Sequence, residues 1–169
     1  MKAIEHELQT FLSLPSRRKV VISLGCGYDA LPFRFMSCFP GLCNDTTFLD
    51  VDYEPLIEEK VKIIRQDGAL STLLRGSRRS TQKPIVLHSD NYVAVGCDLA
   101  EPAALQSLLE REFEDDTSFF IISEVSITYM PVETADALIV WMSRLKAGGS
   151  SLAQEHRSTI KVGADLFSS

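Results

Sequence analysis

The stretch that decides the fold is VVISLGCGYDALPFRF, from Val20 to Phe35. A largely β-branched apolar run stops at Gly25 and Gly27, and a helix signal starts again near Pro32. An apolar run without alternation is typical of a strand buried on both faces of a parallel sheet, and proline is tolerated in the first helical turn. Glycines directly after such a strand allow a tight turn and a close approach of a ligand to the backbone. We therefore expect a central strand, a turn that binds a nucleotide-type ligand, and a helix.

Strand and helix signals alternate along the rest of the chain. An amphipathic helix is predicted near the N-terminus, and three strand and helix pairs follow the opening stretch. The pairs are TTFLDVD with PLIEEKVKIIRQ, NYVAVGCDL with PAALQSLLEREF, and TSFFIISEV with PVETADALIVWMSRLKAGG. This order predicts an α/β fold with a doubly wound, mainly parallel sheet.

The length of 169 residues fits one domain. We divide it into an N-terminal helix (1–18), a cofactor-binding core (19–147) and a tail (148–169) that is expected to be irregular because it has no strongly apolar run. The polar segment 67–83 is predicted to be a long mobile loop or an insertion.

Composition restricts the class of protein. A formal net charge of −6 argues against a dedicated nucleic-acid surface within this chain and suits a cationic ligand better. No apolar run approaches the roughly 20 residues that a membrane span needs, so no membrane contact is expected. The four cysteines form no C-x-x-C pair and no secretory signal precedes them, which predicts reduced thiols in a cytoplasmic protein and no metal site.

Acidic residues follow the predicted strands. With Ala30, the two glycines satisfy the G-x-G-x-x-A pattern of dinucleotide-binding turns. Asp52 ends the second strand, 25 residues after Gly27, where a carboxylate can accept hydrogen bonds from both ribose hydroxyls. Asp50, two residues earlier on the same face of the strand, competes for that role, and either aspartate could instead cap the next helix. A ribose acceptor suits both NAD and S-adenosylmethionine.

Asp98 follows the third strand and separates these two cofactors better. Its carboxylate could accept from an adenine amino group while Leu99 flanks the ring; the alternative is an N-cap for the helix that begins at Pro102. Glu124, at the end of the fourth strand, places one more carboxylate at the edge of the sheet where open α/β sheets bind ligands.

Four acids at this edge are expected to converge on one crevice: Asp29, Asp52, Asp98 and Glu124. Such an arrangement disfavours an anionic pyrophosphate and favours a sulfonium cation, so we prefer S-adenosylmethionine to NAD as the cofactor. A nucleotide-sugar or NAD-dependent enzyme would use the same turn, but we find no Tyr-x-x-x-Lys catalytic pair.

Taken together, these motifs resemble the leucine carboxyl methyltransferase family. The segments that carry the resemblance are SLGCGYDALPFRF, FLDVDY followed by Lys60, VGCDL, and ISEVSITYM followed by a helix with Trp141, over about Val20 to Leu145. Within the family, GCGYDALPF and SDNYVAVGCDL are more similar to the tRNA wybutosine-synthesising branch than to enzymes that methylate the C-terminal leucine of type 2A phosphatase catalytic subunits.

The resemblance implies a Rossmann-like class I methyltransferase fold that uses S-adenosylmethionine. It implies that Gly25 and Gly27 face the methionine part of the cofactor, Asp52 the ribose, Asp98 and Leu99 the adenine, and Glu124 the cofactor edge. Tyr129 would lie near the substrate carboxylate; alternatively, it is a rim aromatic that packs on the turn at Met130 and Pro131.

The resemblance also implies the reaction, which is transfer of a methyl group to a carboxylate. The acceptor would be a modified guanosine of phenylalanine tRNA, or the C-terminus of a phosphatase catalytic subunit in the other branch. The family's N-terminal arm, with its arginine, and its last strands and helices have no match here, so the fold is expected to be incomplete at both ends. An inactive remnant that binds cofactor or serves as an interaction module is therefore the rival hypothesis.

Overall fold

The computed structural model describes residues 2–15, 18–79, 83–114, 116–124, 129–145 and 159–163. Its helices are α1 (Lys2–Leu12), α2 (Leu31–Cys38), α3 (Glu54–Gln66), α4 (Gly68–Thr72), α5 (Pro102–Glu112) and α6 (Val132–Leu145), with a short 3-10 helix at Pro40–Cys43. Its strands are β1 (Lys19–Leu24), β2 (Thr46–Asp52), β3 (Arg78–Arg79), β4 (Ile85–His88), β5 (Tyr92–Gly96), β6 (Ser118–Glu124) and β7 (Thr159–Gly163).

The described strands form one sheet in the order β3-β4-β5-β2-β1-β6-β7. The strands from β5 to β7 in that order are parallel, whereas β4 pairs antiparallel with both β5 and β3. At the centre of the sheet, Ile22 of β1 lies between Leu49 of β2 and Ile121 of β6. The predicted α/β architecture with a doubly wound, mainly parallel sheet is confirmed.

Two apolar layers cover the two faces of the sheet. Because successive strand residues point to opposite faces, Val21 packs with side chains of α1, α2 and α3, whereas Ile22 packs with side chains of α5 and α6. Both residues are fully buried, as the continuous apolar run of β1 predicts. The sheet is therefore held between helices on both sides, and its carboxyl edge is left for the loops that carry the candidate site.

The prediction that the tail 148–169 is irregular is wrong for residues 159–163. These form β7, which pairs parallel with β6 and places Ile160 opposite Ile121. An edge strand needs only one hydrogen-bonding neighbour, and the alternating sequence TIKVG is sufficient for that, although it lacks the long apolar run that marks a central strand. Residues 146–158 and 164–169 lie outside the described part.

The predicted long loop at 67–83 is wrong for Gly68–Thr72 and Arg78–Arg79, which form α4 and β3. Asp67 is the N-cap of α4. Its Oδ1 accepts hydrogen bonds from the backbone N–H groups of Ala69 at 2.8 Å and Leu70 at 3.0 Å. Such an N-cap satisfies donors that a helix leaves free at its start. The strand β3 follows, and residues 80–82 lie outside the described part.

Across the ranges given above, none of the helices combines the length and the apolar character that a membrane crossing requires.

Candidate functional site

The turn after β1 has the backbone that the sequence predicts. Gly25 has a φ of 67° and Gly27 a φ of 49°, both in the left-handed region that side chains disfavour. A Cβ added to Gly27 would meet no atom within 4 Å, so the space beside this glycine is open. The turn can therefore receive a ligand close to its backbone.

Asp52 holds this turn from the end of β2. Its Oδ2 accepts a hydrogen bond from the Gly27 N–H at 2.8 Å, and its Oδ1 accepts one from the Tyr53 N–H at 2.8 Å. The carboxylate is only partly buried, and each of its oxygens has a further lone pair. Asp52 can thus fix the turn and still accept hydrogen bonds from the hydroxyls of a ligand.

Asp50 does not reach the same crevice. It is 1% exposed, and its Oδ2 accepts hydrogen bonds from Lys60 Nζ at 2.7 Å and from the Tyr92 hydroxyl at 2.8 Å. The residue at the start of α3 is Tyr53, and no side chain caps that helix. Asp50 is thus engaged inside the fold, and the ligand-facing role of Asp52 stays a prediction; neither aspartate caps α3.

Lys60 is the member of the site that the sequence reasoning missed. Its side chain is buried, and Nζ donates to Asp50 Oδ2 and, at 2.9 Å, to the backbone oxygen of Asp29 in the glycine turn. The Cys26 thiol lies close enough to this ammonium to interact with it electrostatically. Burial is the largest single influence and acts to lower the pKa of Lys60, but the Coulombic attraction of Asp50, the hydrogen bond to it and the nearby Cys26 together outweigh burial; the net pKa shift is upward, so the ammonium is charged at neutral pH.

A sequence signal for this lysine existed. The buried face of α3 carries Ile57, Val61 and Ile64 at helical spacing, and Lys60 lies on that same face. A lysine on a buried helix face requires an anionic partner. Asp50, which stands between two buried apolar residues of β2, is the matching acid.

Burial changes the acid–base behaviour of the neighbouring groups. It raises the pKa of the Cys26 thiol to about 12, and the Asp50 carboxylate adds to the effect. Burial, with Asp50, also raises the pKa of Tyr92 well above its usual range. Both groups are therefore protonated at neutral pH. The Tyr92 hydroxyl can donate a hydrogen bond to Asp50. The Cys26 thiol is not a nucleophile, because the thiolate is the reactive form.

Asp98 lies at the same edge of the sheet, at the end of β5. Gly96 is paired with Asp52, and the Cys97 N–H donates to the Asp52 backbone oxygen at 2.9 Å. The Asp98 side chain is exposed, and its Oδ1 accepts a hydrogen bond from the Ala100 N–H at 2.9 Å, which forms a local turn. Since the N-cap position of α5 is Glu101, the alternative assignment of Asp98 as the cap is wrong.

Leu99 points away from solvent. It is 7% exposed and packs in the apolar layer beneath α5. Its proposed contact with an adenine ring stays a prediction, in which only the small exposed part of the side chain would touch the ring.

The remaining predicted site residues are at the end of β6 and after it. Glu124 is the last residue of β6 and follows Ser123, which pairs with Leu24 of β1. The backbone of Glu124 is therefore at the edge of the sheet that carries the glycine turn. Residues 125–128 lie outside the described part. Tyr129 is 84% exposed, which does not fit the alternative of a packed rim aromatic; its role near a substrate carboxylate stays a prediction.

The charge at this edge is acidic. Asp29 is exposed, with its Oδ1 accepting from the Leu31 N–H at 3.1 Å, and Asp52 and Asp98 lie on the neighbouring strand ends. Within the described ranges, no three histidine, cysteine or acidic residues are grouped closely enough to hold a metal ion. The chemistry available here is binding of a polar or cationic organic ligand by backbone and carboxylate groups.

Comparison with known proteins identifies the relatives of the chain. The sequence profile described as leucine carboxyl methyltransferase matches residues 2–143. The chain is 38% identical over 148 residues to the tRNA wybutosine-synthesizing protein 4 of Aspergillus fumigatus, covering 86% of this chain and 14% of that protein. It is 36% identical over 146 residues to the protein of the same name from Schizosaccharomyces pombe, covering 84% and 21%.

The chain thus spans about a seventh to a fifth of the length of these curated relatives. The profile match, in contrast, includes the glycine turn, both aspartates of β2, Lys60 and Asp98. The chain belongs to the leucine carboxyl methyltransferase family.

Proposed function

We propose that this chain forms the cofactor-binding core of an S-adenosylmethionine-dependent carboxyl methyltransferase that produces a methyl ester. The proposed acceptor is the carboxylate on the modified guanosine of phenylalanine tRNA in wybutosine synthesis. The name that the relatives carry, tRNA wybutosine-synthesizing protein 4, supports this acceptor over a phosphatase C-terminus. The observation that carries the proposal is the open, left-handed glycine turn held by the partly buried Asp52.

The residues present fit the cofactor. The open space beside Gly27 accommodates a chain that follows the backbone, and the free lone pairs of Asp52 suit ribose hydroxyls. Asp98 is exposed and suits an amino group of adenine. The acidic edge attracts a sulfonium cation, because opposite charges within a few ångströms stabilise each other.

When bound, the cofactor supplies a methyl group that the acceptor carboxylate oxygen takes in line, while the electron pair of the broken carbon–sulfur bond stays on sulfur. A carboxylate with a reference pKa near ~3.5 is ionised at neutral pH, so no side chain has to remove a proton. Asp52 and the glycine turn act by orientation. Holding the reacting groups in line can supply about 7–11 kcal/mol of the lowering of the barrier.

Calorimetric titration of the purified chain with S-adenosylhomocysteine, with NAD as control ligand, tests the cofactor. We expect micromolar binding of the first and none of the second. Asp52→Asn, which keeps the shape but removes the charge, is expected to weaken binding about 10- to 150-fold, as loss of a charged hydrogen-bond acceptor costs about 1.5–3 kcal/mol. The matched control is Asp136→Asn on the exposed face of α6. A folded chain that binds neither ligand, or equal affinity of the Asp52 variant, contradicts the proposal.

The acceptor needs a separate experiment. The chain is incubated with radiolabelled S-adenosylmethionine and either phenylalanine tRNA that carries the unmethylated carboxylate side chain or a peptide with the phosphatase C-terminus. A full-length relative serves as the positive control for the tRNA. We expect label on the tRNA only, and its release by mild alkali, because a methyl ester is hydrolysed where a methylated base is not. Label on the peptide instead would overturn the assignment of the acceptor.

A further inference from the structure

We infer that Lys60 is a positioning residue that sets the shape of the cofactor turn from beneath. The inference rests on the proposed function, because the turn is taken to hold the cofactor. It concerns a buried cluster of Cys26, Asp50, Lys60 and Tyr92, which we call the turn clamp.

The turn clamp connects four separate parts of the fold at one ammonium group. Lys60 is supplied by α3, Asp50 by β2 and Tyr92 by β5, and the turn contributes the Asp29 carbonyl, with the Cys26 thiol nearby. Lys60 Nζ lies 2.7 Å from Asp50 Oδ2 and 2.9 Å from the Asp29 oxygen. Since Lys60 is only 4% exposed, water has little access to replace its bonds.

The bond to Asp29 closes the turn on its far side. The Asp29 N–H donates to the Cys26 oxygen at 3.0 Å, and the Asp29 side chain accepts from the Leu31 N–H that starts α2. Asp52 holds the near side through Gly27. The segment 25–31 is thus held by the Asp52 carboxylate on the ligand side and by the Lys60 ammonium on the buried side. Of these two groups, Asp52 can also contact a ligand.

The rest of the clamp aims the ammonium. Tyr92 donates to the same Asp50 oxygen that receives Lys60, and the Tyr92 ring packs against Phe33 of α2 with ring centroids 4.9 Å apart. Asp50 Oδ1 has no hydrogen-bond partner among the described residues, so Oδ2 alone receives both donors. With one proton donated to Asp50 Oδ2, Lys60 Nζ donates another to the Asp29 oxygen of the turn.

Preorganisation is the functional consequence. Glycines with φ values in the left-handed region have many other conformations open to them, and a ligand that must order a loose turn binds more weakly. The clamp removes those alternatives before the cofactor arrives. Lys60 therefore contributes to affinity without touching the cofactor.

The decisive variant is the double substitution Asp50→Asn with Lys60→Met. Lys60→Met alone would strand a buried carboxylate and risks unfolding, whereas the double variant removes both charges together and retains an acceptor for Tyr92. It also leaves the net charge unchanged, so a change in binding cannot come from altered attraction to a charged ligand. Lys62→Met with Glu59→Gln, which removes an exposed ion pair on the same helix and also leaves the net charge unchanged, is the matched control.

Two readouts separate the clamp from the proposed function. Hydrogen–deuterium exchange without ligand is expected to accelerate at least tenfold at residues 25–31 in the double variant, with little change in β1 and β6. Calorimetry is expected to show at least tenfold weaker binding of S-adenosylhomocysteine than in the wild type and the control. Unchanged exchange in the turn, or unchanged affinity despite faster exchange, overturns the inference. A wild-type chain that binds no S-adenosylhomocysteine overturns the proposed function, and exchange then tests the clamp alone.

Discussion

The substitution Gly27→Ala tests whether the turn is open for a ligand or merely compatible with the fold. An added Cβ would meet no atom within 4 Å, so no steric clash with the protein is expected. The left-handed backbone, with a φ of 49°, remains as the source of strain. A non-glycine residue in that region costs about 1–2 kcal/mol, which for a domain of this length lowers the melting temperature by roughly 2–8 °C.

Binding is expected to fall further than stability. The new methyl group would occupy the open space in which we place the methionine part of the cofactor, so the affinity for S-adenosylhomocysteine should drop at least tenfold. Calorimetric titration at a temperature well below the transition measures this separately from folding. Thermal unfolding followed by far-UV circular dichroism measures the cost in stability.

Gly41→Ala is the control for this substitution. Gly41 also has nothing within 4 Å of an added Cβ, but its φ is outside the left-handed region. Alanine there is expected to leave binding unchanged and to stabilise the fold by up to about 0.4–1 kcal/mol through the unfolded state. If Gly27→Ala binds S-adenosylhomocysteine as tightly as Gly41→Ala does, the space beside Gly27 is not the ligand site and the reasoning fails.

Two further predictions concern packing and thiol reactivity. Gly96→Ala should lower the melting temperature by more than Gly27→Ala does. Its Cβ would lie 2.8 Å from the Glu54 Cα, a backbone atom that cannot move alone. An equal or smaller loss of stability would show that α3 shifts freely. Cys38 should react with iodoacetamide at pH 8 at least tenfold faster than Cys26, because Cys38 is exposed and Cys26 is buried. The pKa of about 12 also leaves roughly one in ten thousand Cys26 groups as the reactive thiolate at this pH. Mass spectrometry of the digested protein measures both sites, and equal labelling would contradict the buried position of Cys26.

The central part of the fold was predictable because each element has a strong local pattern. β1 is a nearly continuous apolar run, and α3 has a proline in its first turn and repeats apolar residues at helical spacing. The edges of the sheet were not predictable in the same way. β7 has five residues with only two large apolar side chains, and its pairing with β6 joins segments far apart in the chain.

The candidate site was predictable to the level of residue type and strand end. Positions such as Gly27 and Asp52 follow from the rule that ligands bind at the carboxyl edge of an open α/β sheet. The choice between Asp50 and Asp52 did not follow, because both lie on the same face of β2. The structure shows that Asp50 is engaged by Lys60, which α3 places under the turn, and by Tyr92 from the neighbouring strand, and these contacts favour Asp52 as the ligand-facing residue.

The single tryptophan of the chain gives an optical probe of one layer only. Trp141 of α6 packs in the layer of α5 and α6, where its Nε1 donates to Gln106 Oε1 at 2.9 Å. The turn clamp lies in the other layer, with α2 and α3. Tryptophan emission therefore reports loosening of the layer formed by α5 and α6. It does not report an early opening of the structure beneath the glycine turn. A denaturation curve recorded by fluorescence alone would report a single transition for a molecule whose glycine turn had already lost its shape.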